Sequence, residues 1–192
     1  EPPKNVYFIL LSRTLNIIPT IKSRTIKFHL SGMNNEELGV SKEIYYFFDG
    51  NENDILEFKR QNLSLDDIKF QINTVEDIFQ IVTEMKNYMS GEFAVKNSLD
   101  LTVKYNKSIE LIARRIRFWE LENVYFFINE IENELKKERE FLIGFLSKII
   151  INAKNFVETE DLKNLINLKN SIRNNVNIKS VLFNFFDILQ NS

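Results

Sequence analysis

From Ser64 to Ser192, apolar residues recur at intervals of three and four, and this helical period constrains the fold more than any other feature of the chain. Thr74, with Asp77 three residues later, has the form of a capping box. It opens a helix carrying Val75, Ile78, Phe79, Ile81, Val82 and Met85, which closes before Gly91. A longer pattern runs from about Ser98 through Leu101, Val103, Tyr105, Ile109, Ile112, Ile116 and Trp119. Leu121 to Lys136 repeats the spacing with Val124, Phe127, Ile128, Ile131 and Leu135. Phe141 to Phe156 is more apolar all round than its neighbours, which is expected of the most central helix. Thr159 caps a further helix to about Arg173, Asn174-Asn175 breaks it, and a last helix carries Val181, Leu182, Phe183, Phe185, Phe186, Ile188 and Leu189. Stripes of this kind are stable only when packed on one another, so the pattern predicts a helical bundle.

Composition narrows the class. The chain of 192 residues is 44% hydrophobic, enough for a sizeable core. Its 25 basic and 27 acidic residues leave a net charge of -2, so no overall field draws it to nucleic acid or anionic membrane. Cysteine is absent, which excludes disulfides, thiolate metal sites and cysteine nucleophiles and suits a reducing cytoplasm, the expected location. No apolar run reaches the roughly 18 to 20 residues that span a bilayer, so no membrane partner is expected.

The opening residues have a different texture. Val6 to Leu11 is an apolar run without polar alternation, which suits a strand covered on both faces by helices. Ser12 to Asn16 forms a turn, and Ile17 to Lys22 a short helix with Pro19 in its first turn, where proline is tolerated. Arg24 then stands before a second strand, Ile26 to Leu30. Taken alone, Arg24 is a solvated cation completing a helix C-terminus. Glu1-Pro2-Pro3 acts as a stop signal, so the chain reads as the second part of a larger domain. After Ser31-Gly32, Asn34 or Asn35 caps a helix to about Phe48 whose face carries Leu38, Val40, Ile44, Tyr45, Phe47 and Phe48. Asp49-Gly50-Asn51 ends it, and Asn53 begins a second short helix to about Gln61 with Ile55, Leu56 and Phe58 inward.

Glu-Pro-Pro, an apolar strand ending in a small hydroxyl residue, then Pro19-Thr20-Ile21-Lys22-Ser23-Arg24 resembles the late part of the AAA+ domain in bacterial DNA polymerase III clamp-loader subunits, those of delta-prime type above all. The resemblance covers Glu1 to Phe28. Thr25 stands where the family has cysteine, and Arg13 follows the hydroxyl residue as an arginine does in some delta-prime chains. Asn175-Val176-Asn177 before the last apolar helix is similar to the end of the same subunits. The resemblance implies an architecture that is mainly α. Residues 1–30 would be a truncated AAA+ α/β remnant of two parallel strands and a short helix, residues 31–63 a short helical lid, and residues 64–192 a helical collar for assembly.

It further implies that Arg24 acts in trans as an arginine finger on ATP bound by a neighbouring subunit, that Ser23 positions it, and that Ser12 holds the sensor 1 position. A planar guanidinium suits such a role because it stays charged and can bond two phosphate oxygens. No GxxxxGK[ST] phosphate loop occurs in these residues, so ATP hydrolysis by the chain itself is not expected. The implied partners are other clamp-loader subunits through the collar, with the sliding clamp and primed DNA reached through the complex. The implied setting is the DNA polymerase III holoenzyme, a DNA-directed DNA polymerase. Two alternatives stand beside this: a stand-alone helical interaction module, in which residues 1 to 30 are not a sheet fragment, and an ATP-hydrolysing clamp-loader subunit.

Other residues invite plainer readings. His29 is the single histidine and has no cysteine or second histidine to share a metal with, so no metal site is expected. Trp119 belongs to a core or interface. Glu130 to Glu140 alternates charges as a solvated face does. Arg114, Arg115 and Arg117 form the best basic cluster, a surface feature or a contact for DNA phosphate or a neighbouring collar. The adjacent pairs Glu36-Glu37 and Asp66-Asp67 are helix-cap material rather than acid and base.

Overall fold

Local hydrogen bonds decide where the helices start. A computed structural model describes residues 9–10, 19–26, 28, 31–65, 72–91, 98–174 and 176–192. The chain divides into two compact units, Glu1–Gly32 and Met33–Ser192.

In the first unit, α1 spans Pro19–Lys22, inside the expected short helix. The two expected strands are not seen. Among the described residues none is in a strand, and Ile9, Leu10, Ile26 and Phe28 are between 62% and 87% exposed. A strand of a parallel sheet needs hydrogen-bonding neighbours on its edges and helices on its faces. Among the described residues nothing covers these four side chains in that way. The other residues of both expected strands, and Ser12, lie outside the described residues.

Among the described residues of the second unit, all regular secondary structure is helical. Asn34 does not start the first helix. Its Oδ1 accepts from the N–H groups of Glu36 and Glu37, both at 2.9 Å, while the Glu37 carboxylate accepts from Asn34 N–H at 2.8 Å. The result is a closed turn ending at Gly39, whose φ of +62° leaves helical space. Helix α2, Lys42–Phe47, begins later, with the Ser41 hydroxyl accepting from Ile44 N–H at 3.2 Å. Asp49 (φ +51°) and Gly50 (φ +68°) turn the chain back. At Gly50 a Cβ would lie 2.8 Å from the Tyr45 hydroxyl, so the turn needs glycine for space as well as for backbone freedom. Asn51 then caps α3, Glu52–Arg60. Of the apolar face expected for α3, Ile55 and Phe58 are buried and Leu56 is exposed.

Helix α4, Val75–Ser90, has the expected capping box: Thr74 Oγ1 accepts from Asp77 N–H at 3.1 Å, and the Asp77 carboxylate accepts from Thr74 N–H at 3.0 Å. Gly91, at φ +79°, ends it. Helix α5, Ser98–Arg115, continues into a single 3₁₀ turn, Ile116–Phe118. Then come α6 (Leu121–Leu135), α7 (Arg139–Ala153), α8 (Thr159–Ser171) and α9 (Ile178–Asn191), the last capped by Asn177. Thr159 is the first residue of α8 and not its cap, a place taken by Glu158.

Two apolar clusters hold this unit together. The larger joins α4 to α9; α7 packs against α5, α6 and α8 with Leu142, Phe145, Leu146 and Ile149 fully buried and Ile151 exposed, while α5, packed against α3, α4 and α7, takes the more central place. Phe127 of α6 meets Trp119, Phe145 and Phe186 with ring centres 5.7 to 6.5 Å apart. Full burial of each such side chain contributes about 1.5–3 kcal/mol. The smaller cluster joins Leu38, Phe48, Ile55 and Phe58 to Leu99 and Val103 of α5. Among the described residues no helix is long and apolar enough to cross a membrane.

Candidate functional site

The last carbonyls of α1 would be open to water, as at any helix end, but two side chains reach back to them. Ser23 Oγ donates to the Thr20 carbonyl at 3.1 Å, and Thr25 Oγ1 donates to the Ile21 carbonyl at 3.1 Å. Arg24 lies between them, its N–H donating to the Ile21 carbonyl at 3.0 Å. Its side chain is exposed, and among the described residues no carboxylate pairs with it. Ser23 therefore shapes the turn that presents Arg24, with a bond to backbone rather than to the guanidinium. What the arrangement offers chemically is a free planar cation able to take two anionic oxygens. Ser12, His29, Asp66 and Asp67 lie outside the described residues.

The other residues singled out by sequence fall into structural roles. Trp119 is half-buried edge-on against Phe127, and its carbonyl accepts from Gln190 Nε2 at 3.2 Å. The run from Glu130 to Glu140 is less of a solvated face than its charges suggest. Ile131 and Leu135 are fully buried within it, and Glu134 pairs with Lys86 of α4 at 2.6 Å. Arg139 donates from Nη1 to the carbonyls of Ile172 (2.9 Å) and Asn174 (2.6 Å), closing the end of α8. Arg114, Arg115 and Arg117 are exposed; Arg114 pairs with Glu110 at 2.9 Å and lies over the Phe156 ring, and Arg117 lies over Phe118.

One polar cluster was not anticipated from the sequence. Lys148 of α7 forms an ion pair with Asp49 of the α2–α3 turn, donates to Asn106 Oδ1 of α5 at 2.7 Å and sits 5.4 Å from the centre of the Tyr105 ring. Asn106 in turn donates from Nδ2 to the Phe47 carbonyl at 2.7 Å, satisfying a backbone acceptor at the end of α2. A polar cavity of about 270 Å³ adjoins this cluster, lined by Glu43, Asp49, Lys107, Glu110, Arg114 and Lys148 among others. Three cations face three carboxylates there, so the space does not favour either sign of ligand. Burial pushes the Asp54 carboxyl above its ordinary value, opposed by a hydrogen bond with Thr102 and by the charge of Lys148. Burial also raises the Tyr105 hydroxyl, with the negative charge of Asp49 adding to the effect. A phenol held neutral in this way is no base at neutral pH. The one signal in the sequence was a lysine in the middle of a largely apolar helix.

A second, more open groove of about 510 Å³ runs along α8 and α9, lined by Asn164, Asn167, Ser171, Asn184 and Asp187. Among the described residues no group of three histidine, cysteine or acidic side chains is placed to hold a metal ion. In comparisons with known proteins, the chain matches no family model, no curated protein and no solved structure.

Proposed function

We propose that the chain is a delta-prime-like subunit of a bacterial DNA polymerase III clamp loader that does not itself hydrolyse ATP. It supplies Arg24 in trans to ATP bound by a neighbouring subunit and a helical collar for assembly, and so takes part in placing the sliding clamp on primed DNA in the cytoplasm. The observation that carries the reading is the exposed Arg24 at the end of the four-residue α1, within the segment Pro-Thr-Ile-Lys-Ser-Arg. A triphosphate losing its γ-phosphoryl group develops charge on its equatorial oxygens, and an arginine held ready outside the site can stabilise that charge. In GTPases such an arginine is worth about 10³ to 10⁵ in rate. The reading requires the segments around Ile9–Leu10 and Ile26–Phe28 to pair as strands within the assembled loader. The described residues alone do not pair in this way.

That requirement favours a second reading, a helical protein-interaction module with no nucleotide role, which accounts for a first unit without described strands. The third possibility raised by the sequence, an ATP-hydrolysing subunit, has no observation in its favour. The test is a loader reconstituted with Arg24→Ala, with ATPase stimulated by DNA and clamp as the readout. Lower turnover with unchanged assembly supports the trans role. Unchanged turnover removes that role, and failure of the chain to join the loader leaves the interaction module as the better account.

A further inference from the structure

Helices α2 and α3 are fastened to the rest of their unit in an unusual way. Their apolar cluster is separate from the large one and reaches the bundle only at Leu99 and Val103 of α5 among fully buried residues. Beyond those two contacts, the fastenings among the described residues are largely polar: Lys148 to Asp49, Asn106 to the Phe47 carbonyl, a hydrogen bond between Asp54 and Thr102, and Lys107 over the Phe47 ring at 5.7 Å. The neighbouring cavity brings charged side chains such as Glu43, Lys107 and Glu110 up to the joint. A small apolar contact and polar fastening are the attributes of parts that open locally below the free energy of global unfolding.

We propose that the α2–α3 hairpin is a releasable clasp, closed by Lys148 and Asn106, which opens as a unit while the bundle from α4 to α9 stays folded. Lys148 is the key residue because it touches both sides of the joint. It meets Asp49 on the clasp and Asn106 on the bundle, and orients the amide that holds the Phe47 carbonyl. Opening uncovers Leu99 and Val103 at the start of α5, so the clasp controls access to an apolar strip. The Asp49 side chain is half exposed, at 51%, so competing ions in solution can reach the ion pair. The inference is independent of the clamp-loader reading, since it concerns only residues 33–192.

Hydrogen exchange of the full chain, followed peptide by peptide, tests it. In the unaltered protein, amides of residues 42–60 exchange through smaller openings than those of residues 121–153. Lys148→Met speeds exchange across residues 42–60 by about tenfold or more, the loss expected for a charge-assisted bond, and leaves residues 121–153 unchanged. Asp49→Asn, which alters only the exposed turn, produces a change of the same pattern and serves where the lysine variant does not fold. Equal acceleration of both regions, or no acceleration of residues 42–60 in either variant, overturns the clasp. Exchange of the two regions through one common opening in the unaltered protein also overturns it.

Discussion

Lys148 Nζ donates a 2.7 Å hydrogen bond to Asn106 Oδ1, tying α7 to α5 at the point where the α2–α3 hairpin docks. The amide passes the interaction on, because its Nδ2 donates to the carbonyl of Phe47. One buried asparagine thus satisfies a lysine on one side and a helix-end carbonyl on the other.

Asn106→Ala leaves the Phe47 carbonyl without its donor and takes one of its two polar partners from Lys148, which keeps Asp49. Asn106 is almost completely buried, so water does not readily replace the lost amide. The substitution is expected to lower stability by about 1–3 kcal/mol, read from the midpoint of urea unfolding. Asn106→Asp keeps the acceptor for Lys148 but sets a carboxylate oxygen against the Phe47 carbonyl, so it is expected to destabilise as well.

Phe127→Ala removes the ring that Trp119, Phe145 and Phe186 share. The site is fully enclosed, so the cavity cannot be filled by small shifts. A loss of about 3–5 kcal/mol is expected from denaturant unfolding, with an unchanged slope if the unfolded state is the same. Trp119 fluorescence, changed at once by loss of its edge-on partner, gives a second readout in the folded state.

Two acidic residues give opposite responses to pH. Backbone N–H donors of Asn73 and Thr74 hold the Asp77 carboxyl below its ordinary value of 3.8. A depressed folded value means stability that is present above about pH 4 and lost as pH falls through the folded value. Asp54 is the reverse: its folded value is raised, so the ionised carboxylate opposes folding at neutral pH and protonation relieves it as pH falls towards 3.8. Asp77→Ala is therefore expected to destabilise at pH 7 and to flatten the acid limb of a stability profile. Asp54→Asn is expected to abolish the gain just above pH 4 without destabilising at pH 7. Thermal unfolding of each variant between about pH 3 and 7 checks both signs, and two parallel profiles would refute the assignment.

The helices were legible in the sequence where their ends are made by neighbours in the chain. Thr74 and Asp77 cap α4 as read, and Gly91 stops it, because all three act within a turn of the residues they serve. Asn34 misled for the same local reason: its side chain bonds the two following amides and closes a turn, and Gly39 prevents a helix from growing out of it. Val6 to Leu11 and Ile26 to Leu30 were read as strands from their apolar residues, but an apolar run states only that cover is needed and not that a sheet supplies it. Arg24 was legible as a solvated cation at a helix end, whereas the turn that Ser23 closes on the Thr20 carbonyl was not. Lys148 was not, since its partners are Asn106, 42 residues away, and Asp49, farther still.

By itself the sequence determined the helical period, the capping box of α4 and the bundle that the period requires, since each depends on residues three or four apart. Only the tertiary structure decided that a lysine, an asparagine and an aspartate from three distant segments meet at one joint, and that α5 is the helix packed against α3, α4 and α7 together. Those outcomes depend on which faces pack together, and packing sums many long-range contacts that no short stretch of chain contains.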